Sequence, residues 1–345
     1  MRKIADCRLG EFSTVVKIVS LDELFSPSGR DVLVVTDSNV APLLPPDVPF
    51  PVLVLEAGEE YKRWDSVEKI LSRAVELGYA RDCVFIGVGG GVVTDMTAFA
   101  ASVYMRGVSL VLVPTTLLGM VDAAFGGKTG VDFLSLKNMV GTFYPAGELL
   151  IAPAFVASLP ERDYIGGLAE VIKHAMLDDE RLFELLETER ERVMMRDFSV
   201  VSELVERALM VKVRIVTEDF REKGKRAFLN LGHTFGHALE AVTGFTRFTH
   251  GEAVAWGLRC AMALGLSMGL SPESYVYRVN ALLDAYGFLR AVSGVSAEEL
   301  LEASRMDKKK KGGSVRFVLQ RGQGDTLLTE VDDSAFIEAV SAFLV

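Results

Sequence analysis

Cysteine, histidine and net positive charge are all scarce in this chain, and each shortage closes off a class of protein. The three cysteines, Cys7, Cys83 and Cys260, are widely spaced and odd in number. They offer neither a disulfide framework nor a thiolate zinc site, and they fit a reducing, cytoplasmic setting. Acidic residues outnumber basic ones by 47 to 37, for a formal charge of −10. Nucleic-acid binders gather the opposite sign, so no nucleic-acid partner is expected, and an anionic ligand would need a local basic pocket. The first residues lack the apolar core of a secretory signal. The most apolar long stretch, residues 253–270, carries Arg259 and three glycines, which suits a buried helix rather than a membrane span.

The four histidines are not scattered. All fall between His174 and His250, and two of them, His233 and His237, share the segment Asn230-Leu231-Gly232-His233-Thr234-Phe235-Gly236-His237. Residues four apart lie on one helix face, so His233 and His237 can enter one pocket. Histidine is both the commonest side-chain metal ligand and the proton carrier near neutral pH. Helix histidines paired with carboxylates would explain one of them but not three. Residues 170–255 are therefore the expected chemical centre.

At 345 residues the chain is long for one domain. Its first half alternates β-branched runs (32–36, 52–55, 83–88, 109–113) with amphipathic stretches such as 66–77, which Gly78 closes. That rhythm predicts parallel strands with helices on the faces. From about Leu159 helical periods follow one another (164–177, 179–192, 200–216, 231–242, 252–268, 273–286), with one late hairpin over 315–319 and 326–329. The expected architecture is an α/β N-terminal domain with a Rossmann-like parallel sheet, residues 1–155, and a mainly α-helical C-terminal domain, residues 156–345.

Gly87-Val88-Gly89-Gly90-Gly91-Val92-Val93-Thr94-Asp95 follows a strand and opens a helix. Glycines there let backbone N–H groups approach a phosphate. Val92 stands where a third glycine would complete the dinucleotide fingerprint, so that signature is absent and a plain tight turn is the alternative. The segment Asp122-Ala123-Ala124-Phe125-Gly126-Gly127-Lys128-Thr129-Gly130 is not a P-loop, since the required first glycine is Asp122. It reads as a lysine on a flexible glycine loop, followed by Lys137 and Asn138. Glu170, Lys173 and His174 share one helix face; alone they make an ordinary salt bridge, but beside the histidines Glu170 becomes a third metal ligand. Spacing alone favours His233 and His237 as the first ligand pair, with Glu170, His250 or Glu252 completing the set, and zinc as the ion, cobalt or iron accepting similar donors. Lys212, Glu222, Arg226 and the run Lys308-Lys309-Lys310-Lys311-Gly312-Gly313 complete the polar inventory; that run is either a solvated face or a cover over a phosphate.

Taken in order, these motifs carry a resemblance. Gly89-Gly90-Gly91-Val92-Val93-Thr94-Asp95, Pro114-Thr115-Thr116-Leu117-Leu118, Gly126-Gly127-Lys128-Thr129-Gly130-Val131-Asp132, Gly167-Leu168-Ala169-Glu170-Val171-Ile172-Lys173, Arg226 through His237, and His250-Gly251-Glu252 together resemble the 3-dehydroquinate synthase family of sugar-phosphate cyclases, from about residue 30 to 320. The resemblance implies a homodimer using NAD and Zn2+, or Co2+ in its place. The implied reaction turns 3-deoxy-D-arabino-heptulosonate 7-phosphate into 3-dehydroquinate and phosphate, by NAD-mediated oxidation, phosphate elimination, reduction and internal aldol closure. It implies Glu170, His233 and His250 as metal ligands, which replaces the His233/His237 pair and leaves His237 to meet substrate. NAD would meet Asp37, Glu59, Lys62, Gly90, Gly91, Val92, Val93, Thr94, Asp95, Thr115, Thr116, Lys128, Lys137, Phe155 and Ser158. Substrate would meet Asp122, Lys128, Asn138, Lys173, Lys212, Glu222, Arg226, Asn230, His237 and Lys308, with Arg106 reaching in from the neighbouring subunit. Gly119-Met120, Ala123-Ala124-Phe125, Asp132 and Ser158 depart from the family pattern without removing any of these residues. The rival within the same fold is another sugar-phosphate cyclase or a metal-dependent polyol dehydrogenase.

Overall fold

Strands buried on both faces need near-continuous apolar side chains, and the β-branched runs of the first half supply them. In a computed structural model, which describes residues 1–25, 29–134, 136–309 and 316–345, the chain divides into two units. One holds Met1–Leu159 with Val216–Phe220; the other holds Pro160–Ile215 and Arg221–Val345.

The first unit is built on a seven-stranded sheet. Its strands are β1 (Arg2–Leu9), β2 (Phe12–Ile18), β3 (Val32–Asp37), β4 (Val52–Leu55), β5 (Val84–Gly89), β6 (Ser109–Pro114) and β9 (Glu148–Ile151), in the spatial order β1-β2-β9-β6-β5-β3-β4. All neighbours run parallel except β1 and β2, which form an antiparallel hairpin at one edge. Helix α1 (Trp64–Glu76) buries Val67, Ile70 and Ala74 at helical spacing and stops before Gly78, whose φ of +70 suits glycine. Helix α2 (Gly91–Val103) follows β5 directly. The chain runs from β3 outward to β4, crosses back to β5 and then proceeds to β6 on the other side. The order therefore reverses between β3 and β5, and in such sheets ligands bind beyond the carboxyl ends of the strands at that reversal. Asp37 ends β3 and Gly89 ends β5.

Two features here depart from the sequence reading. The edge hairpin β1–β2 is absent from the sequence reading: a register shift between Lys3 and Ala5 and a buried Thr14 interrupt the apolar alternation. Lys128 does not lie on a flexible loop. It starts β7 (Lys128–Phe133), which pairs with β8 (Leu136–Phe143) in a separate two-stranded sheet. The left-handed φ angles belong instead to Gly126 and Gly127, just before the strand.

The second unit is helical: α3 (Glu161–Asp178), α4 (Glu180–Thr188), α5 (Arg190–Met194), α6 (Phe198–Glu218), whose last turn belongs to the first unit, α7 (His233–Val242), α8 (His250–Ser267), α9 (Glu273–Ala285), α10 (Ala297–Lys309) and α11 (Asp333–Ser341), with the hairpin β10 (Arg316–Gly322) and β11 (Asp325–Glu330). The predicted helix over 179–192 is broken at Glu189, so α4 and α5 are separate. Helix α3 starts at Glu161, three residues before the predicted period over 164–177. The long apolar stretch becomes α8. Its Arg259 is buried, bonded to Asp284, Asn280 and the carbonyls of Phe288 and Leu289. Among the described residues no helix is long and apolar enough to cross a membrane.

Candidate active site

Three helices of the second unit meet through glycines. A Cβ on Gly251 of α8 would overlap the carbonyl oxygen of Gly166 on α3, and one on Gly257 of α8 would overlap the carbonyl oxygen of Gly232, which precedes α7. A Cβ on Gly236 would come within 3.0 Å of the Ala253 carbonyl. Backbones this close leave no room for side chains at the crossings, so the neighbouring side chains converge. The start of α8 is fixed by a capping box between Thr249 and Glu252. Arg162 of α3 grips the same Glu252 bidentately, at 2.9 and 2.7 Å. Glu252, one of the alternatives that spacing left open as a ligand, is committed to that cap.

The result is a carboxylate and two imidazoles at one point. Glu170 is fully buried on α3, His233 opens α7 and His250 opens α8. His233 Nε2 and His250 Nε2 each lie 3.5 Å from Glu170 Oε1. Ligand atoms about 2.1 Å from a tetrahedral zinc are separated by roughly 3.4 Å, since a tetrahedron's edge is about 1.63 times its centre-to-corner distance. The donor set therefore fits a divalent cation in both chemistry and spacing. The remote nitrogens are also engaged: His233 Nδ1 is 3.2 Å from the Leu231 carbonyl and His250 Nδ1 is 3.4 Å from Glu240 Oε2. Burial pushes the His233 imidazole well below its ordinary pKa, so it is held neutral. Burial acts the same way on His250, but the carboxylates of Glu170 and Glu240 outweigh it and push it up to about 10.

His237 stands one turn beyond His233, its ring 5.3 Å from that of His233 and 6.0 Å from that of His250. Lys173 is buried and ion-paired with Glu170. Lys212 on α6 and Arg226 are also buried. Arg226 and Asn230 share the short 3-10 segment Lys225–Asn230, which packs against α3 and the β10–β11 hairpin. The Asn230 amide donates to Glu222 Oε1 at 3.1 Å. Lys308 lies in the last turn of α10, its side chain outside the described residues, as is the rest of the lysine run from Lys310 on. Glu240 is the residue that sequence reasoning missed. Its signal was a lone acid on the apolar face of α7, two helical turns from His233.

In the first unit the candidate residues gather at the strand ends. Gly90 caps α2 with no side-chain cap of its own, and a Cβ there would press to 3.1 Å against Thr116. Val93 is buried under Gly89, Val92 is half-buried, and Thr94 Oγ1 turns back to the Gly90 and Gly91 carbonyls. The Thr115 N–H donates to the Gly89 carbonyl. Buried Lys62 donates to Asp95 Oδ2 at 2.6 Å and Asn138 Oδ1 at 2.7 Å. Burial would discharge its ammonium, but Asp95 and Glu59 outweigh that and hold it charged. Lys137 Nζ lies 3.8 Å from Glu59 Oε1. Asp37 is turned onto the N–H groups of Asn39 and Val40. Asp122 sits in a single π turn, Gly119–Ala123, a local irregularity common at functional sites. Phe155 and Ser158 share the 3-10 segment Pro153–Ser158, where the Ser158 hydroxyl donates to the Phe155 carbonyl. Arg106 is exposed beside Met105, both with left-handed φ.

Family models of the 3-dehydroquinate synthase N-terminal and C-terminal regions match residues 52–166 and 167–310 respectively. The chain belongs to the 3-dehydroquinate synthase family. It is 43% identical over 339 residues to the 3-dehydroquinate synthase of Acidithiobacillus ferrooxidans, covering 95% of this chain and 93% of that one. Among solved structures it is similar to the 2-epi-5-epi-valiolone synthase ValA of Streptomyces hygroscopicus with NAD+ and Zn2+ bound (TM-score 0.88, 27% identity, 99% and 98% of the two chains). It is likewise similar to a 2-deoxy-scyllo-inosose synthase complexed with carbaglucose-6-phosphate, NAD+ and Co2+ (TM-score 0.85, 25% identity, 97% and 98%). Membership makes the protein an enzyme of a carbocycle-forming cyclase family.

Proposed function

We propose that this chain is a phosphate-eliminating lyase that converts 3-deoxy-D-arabino-heptulosonate 7-phosphate to 3-dehydroquinate and phosphate, using NAD+ and a divalent cation, zinc or cobalt. The observation that carries this reading is the meeting of Glu170, His233 and His250, their donor atoms within 4.8 Å of one another, in a chain of this family. Glu170, His233 and His250 are assigned to the cation, which when bound would acidify a substrate alcohol. The residues at the ends of β3, β5 and β6, with Lys62, Asp95 and Lys137, are assigned to NAD+, which would accept and return hydride. On this reading, residues 1–155 form the NAD-binding domain and residues 156–345 the metal- and substrate-binding domain.

The chain's own groups then supply charge and orientation. Lys173, Lys212 and Arg226 suit a substrate with a carboxylate and a phosphate better than a neutral polyol. Glu222 orients the Asn230 amide, so that its remaining hydrogen bonds are directed rather than rotating freely. His237 stands beside the proposed ligands, one turn along α7, and the departing phosphate can itself accept a proton. Lys128, Asn138 and Asp122, with Lys308, are assigned to substrate as well. A cytoplasmic homodimer, with Arg106 serving the neighbouring subunit, completes the proposal.

Incubation of the purified chain with the heptulosonate phosphate, NAD+ and zinc should release phosphate without accumulating free NADH. Stoichiometric NADH at 340 nm with no phosphate would replace the cyclase with a polyol dehydrogenase.

A further inference from the structure

We infer that Glu240 is a positioning residue that fixes the tautomer and tilt of His250, and thereby sets the affinity of the site for its cation. This rests on the reading of Glu170, His233 and His250 as cation ligands. Glu240 is buried on α7, where an apolar side chain would be the cheaper occupant. Its Oε2 lies 3.4 Å from His250 Nδ1, while the opposite nitrogen of the same ring lies 3.5 Å from Glu170 Oε1. One imidazole thus stands between two buried carboxylates.

For Nε2 to offer a lone pair to a cation, the ring's proton must sit on Nδ1. An acceptor beside Nδ1 holds it there and makes Nε2 a stronger donor, and loss of such a partner typically costs 10- to 100-fold in metal affinity. His233 obtains the same service from a neutral backbone carbonyl, that of Leu231 at 3.2 Å. His250 obtains it from a full negative charge. The position of Glu240 adds a mechanical link. It lies seven residues after His233, two turns along the same helix face, so α7 carries one ligand and the group that orients another. His237, Glu240 and His250 also approach closely enough to hold a cation themselves. That alternative would use His250 Nδ1 as a ligand, and stoichiometry separates it from the role proposed.

The test uses the full chain and its Glu240→Ala, Glu240→Gln and His233→Ala variants, titrated with zinc against a chromophoric chelator and with cobalt to read the d–d absorption bands. Glu240→Ala should bind zinc about 10- to 100-fold more weakly and shift the cobalt bands. Glu240→Gln should fall between, since its amide oxygen still accepts from Nδ1–H without the charge. Melting of the metal-free variants should stay close to that of the parent, which separates positioning from folding. Zinc affinity within twofold of the parent in both Glu240 variants, with unchanged cobalt bands and binding lost in His233→Ala, would overturn the inference and leave the ligand set standing. Unchanged affinity in His233→Ala would remove the ligand set itself. A second equivalent of zinc bound by the parent and lost in Glu240→Ala would make Glu240 a ligand instead. Should the alanine variant not fold, the glutamine variant decides alone by the same twofold limit.

Discussion

The two units build their candidate sites in opposite ways. In the first, the positions are backbone positions: strand ends, a glycine-capped helix and the turn after β6, where what matters is how closely a ligand can approach main-chain N–H groups. In the second, the positions are side chains, delivered to one point because three helices cross with no Cβ between them. A site made of backbone tolerates changes in side chain that leave the turn intact. A site made of converging side chains fails when the crossings are pushed apart.

The largest effect should follow from disturbing a crossing. Gly251→Ala places a Cβ against the Gly166 carbonyl oxygen, a main-chain atom that cannot swing away. Overpacking of this kind costs about 3 kcal/mol or more. The variant should melt well below the parent and lose zinc, because α3 and α8 carry Glu170 and His250. A Gly251→Ala chain with parental melting temperature and parental zinc affinity would show that the crossing does not set the ligand spacing.

A smaller effect, confined to the first unit, should follow from Lys62→Met. It removes the ammonium beside Asp95, whose side chain is about one-fifth exposed, and a donor from Asn138. Breaking a fully buried pair costs about 3–5 kcal/mol, and partial exposure brings this nearer 2 kcal/mol. NAD+ affinity should fall while zinc affinity holds. Equal losses of both would erase the division of labour between the units.

Much of this contrast was legible in the sequence, though not evenly. The glycine run after β5 and the parallel strands announce themselves through composition, because a buried strand has few apolar alternatives to β-branched residues. The ligand set was harder. Spacing puts His233 and His237 on one helix face, but His250 joins His233 only because Gly251 and Gly257 let α8 lie against Gly166 and Gly232, and no local period encodes contacts 85 and 25 residues apart in sequence. Glu240 was invisible for the same reason, since its partner comes from another helix. The loop signal of Gly126 and Gly127 stops short of Lys128, where the strand begins, so the loop expected to run to Gly130 is three residues shorter.

Protonation offers a subtler probe of the second unit. In the metal-free chain the carboxylates of Glu170 and Glu240 keep His250 charged up to about pH 10. A ligand must be neutral, so binding displaces that proton across the whole neutral range. The sign is therefore fixed: zinc affinity should weaken by about tenfold for each unit that pH falls between 9 and 6, roughly 1.4 kcal/mol per unit. An affinity flat across that range would mean that His250 is already neutral there. NAD+ affinity should move far less.

The smallest effect on folding should come from Gly91→Ala, and it is the sharpest test of the contrast. A Cβ at Gly91 would sit 3.5 Å from that of Ala123, an ordinary contact, and the residue lies in the first turn of α2. Alanine restricts the unfolded chain and suits a helix, so stability should stay level or rise by up to about 0.5 kcal/mol. If the glycine is there to let a pyrophosphate reach the helix N-terminus, the same methyl stands in the ligand's way, and calorimetric titration should show weaker NAD+ binding on a more stable protein. Gain of fold with loss of ligand is what a backbone site predicts. A Gly91→Ala chain that binds NAD+ as the parent does would mean that close approach is not needed at that turn, and side chains such as Lys62 and Asp95 would have to carry more of the proposed cofactor site.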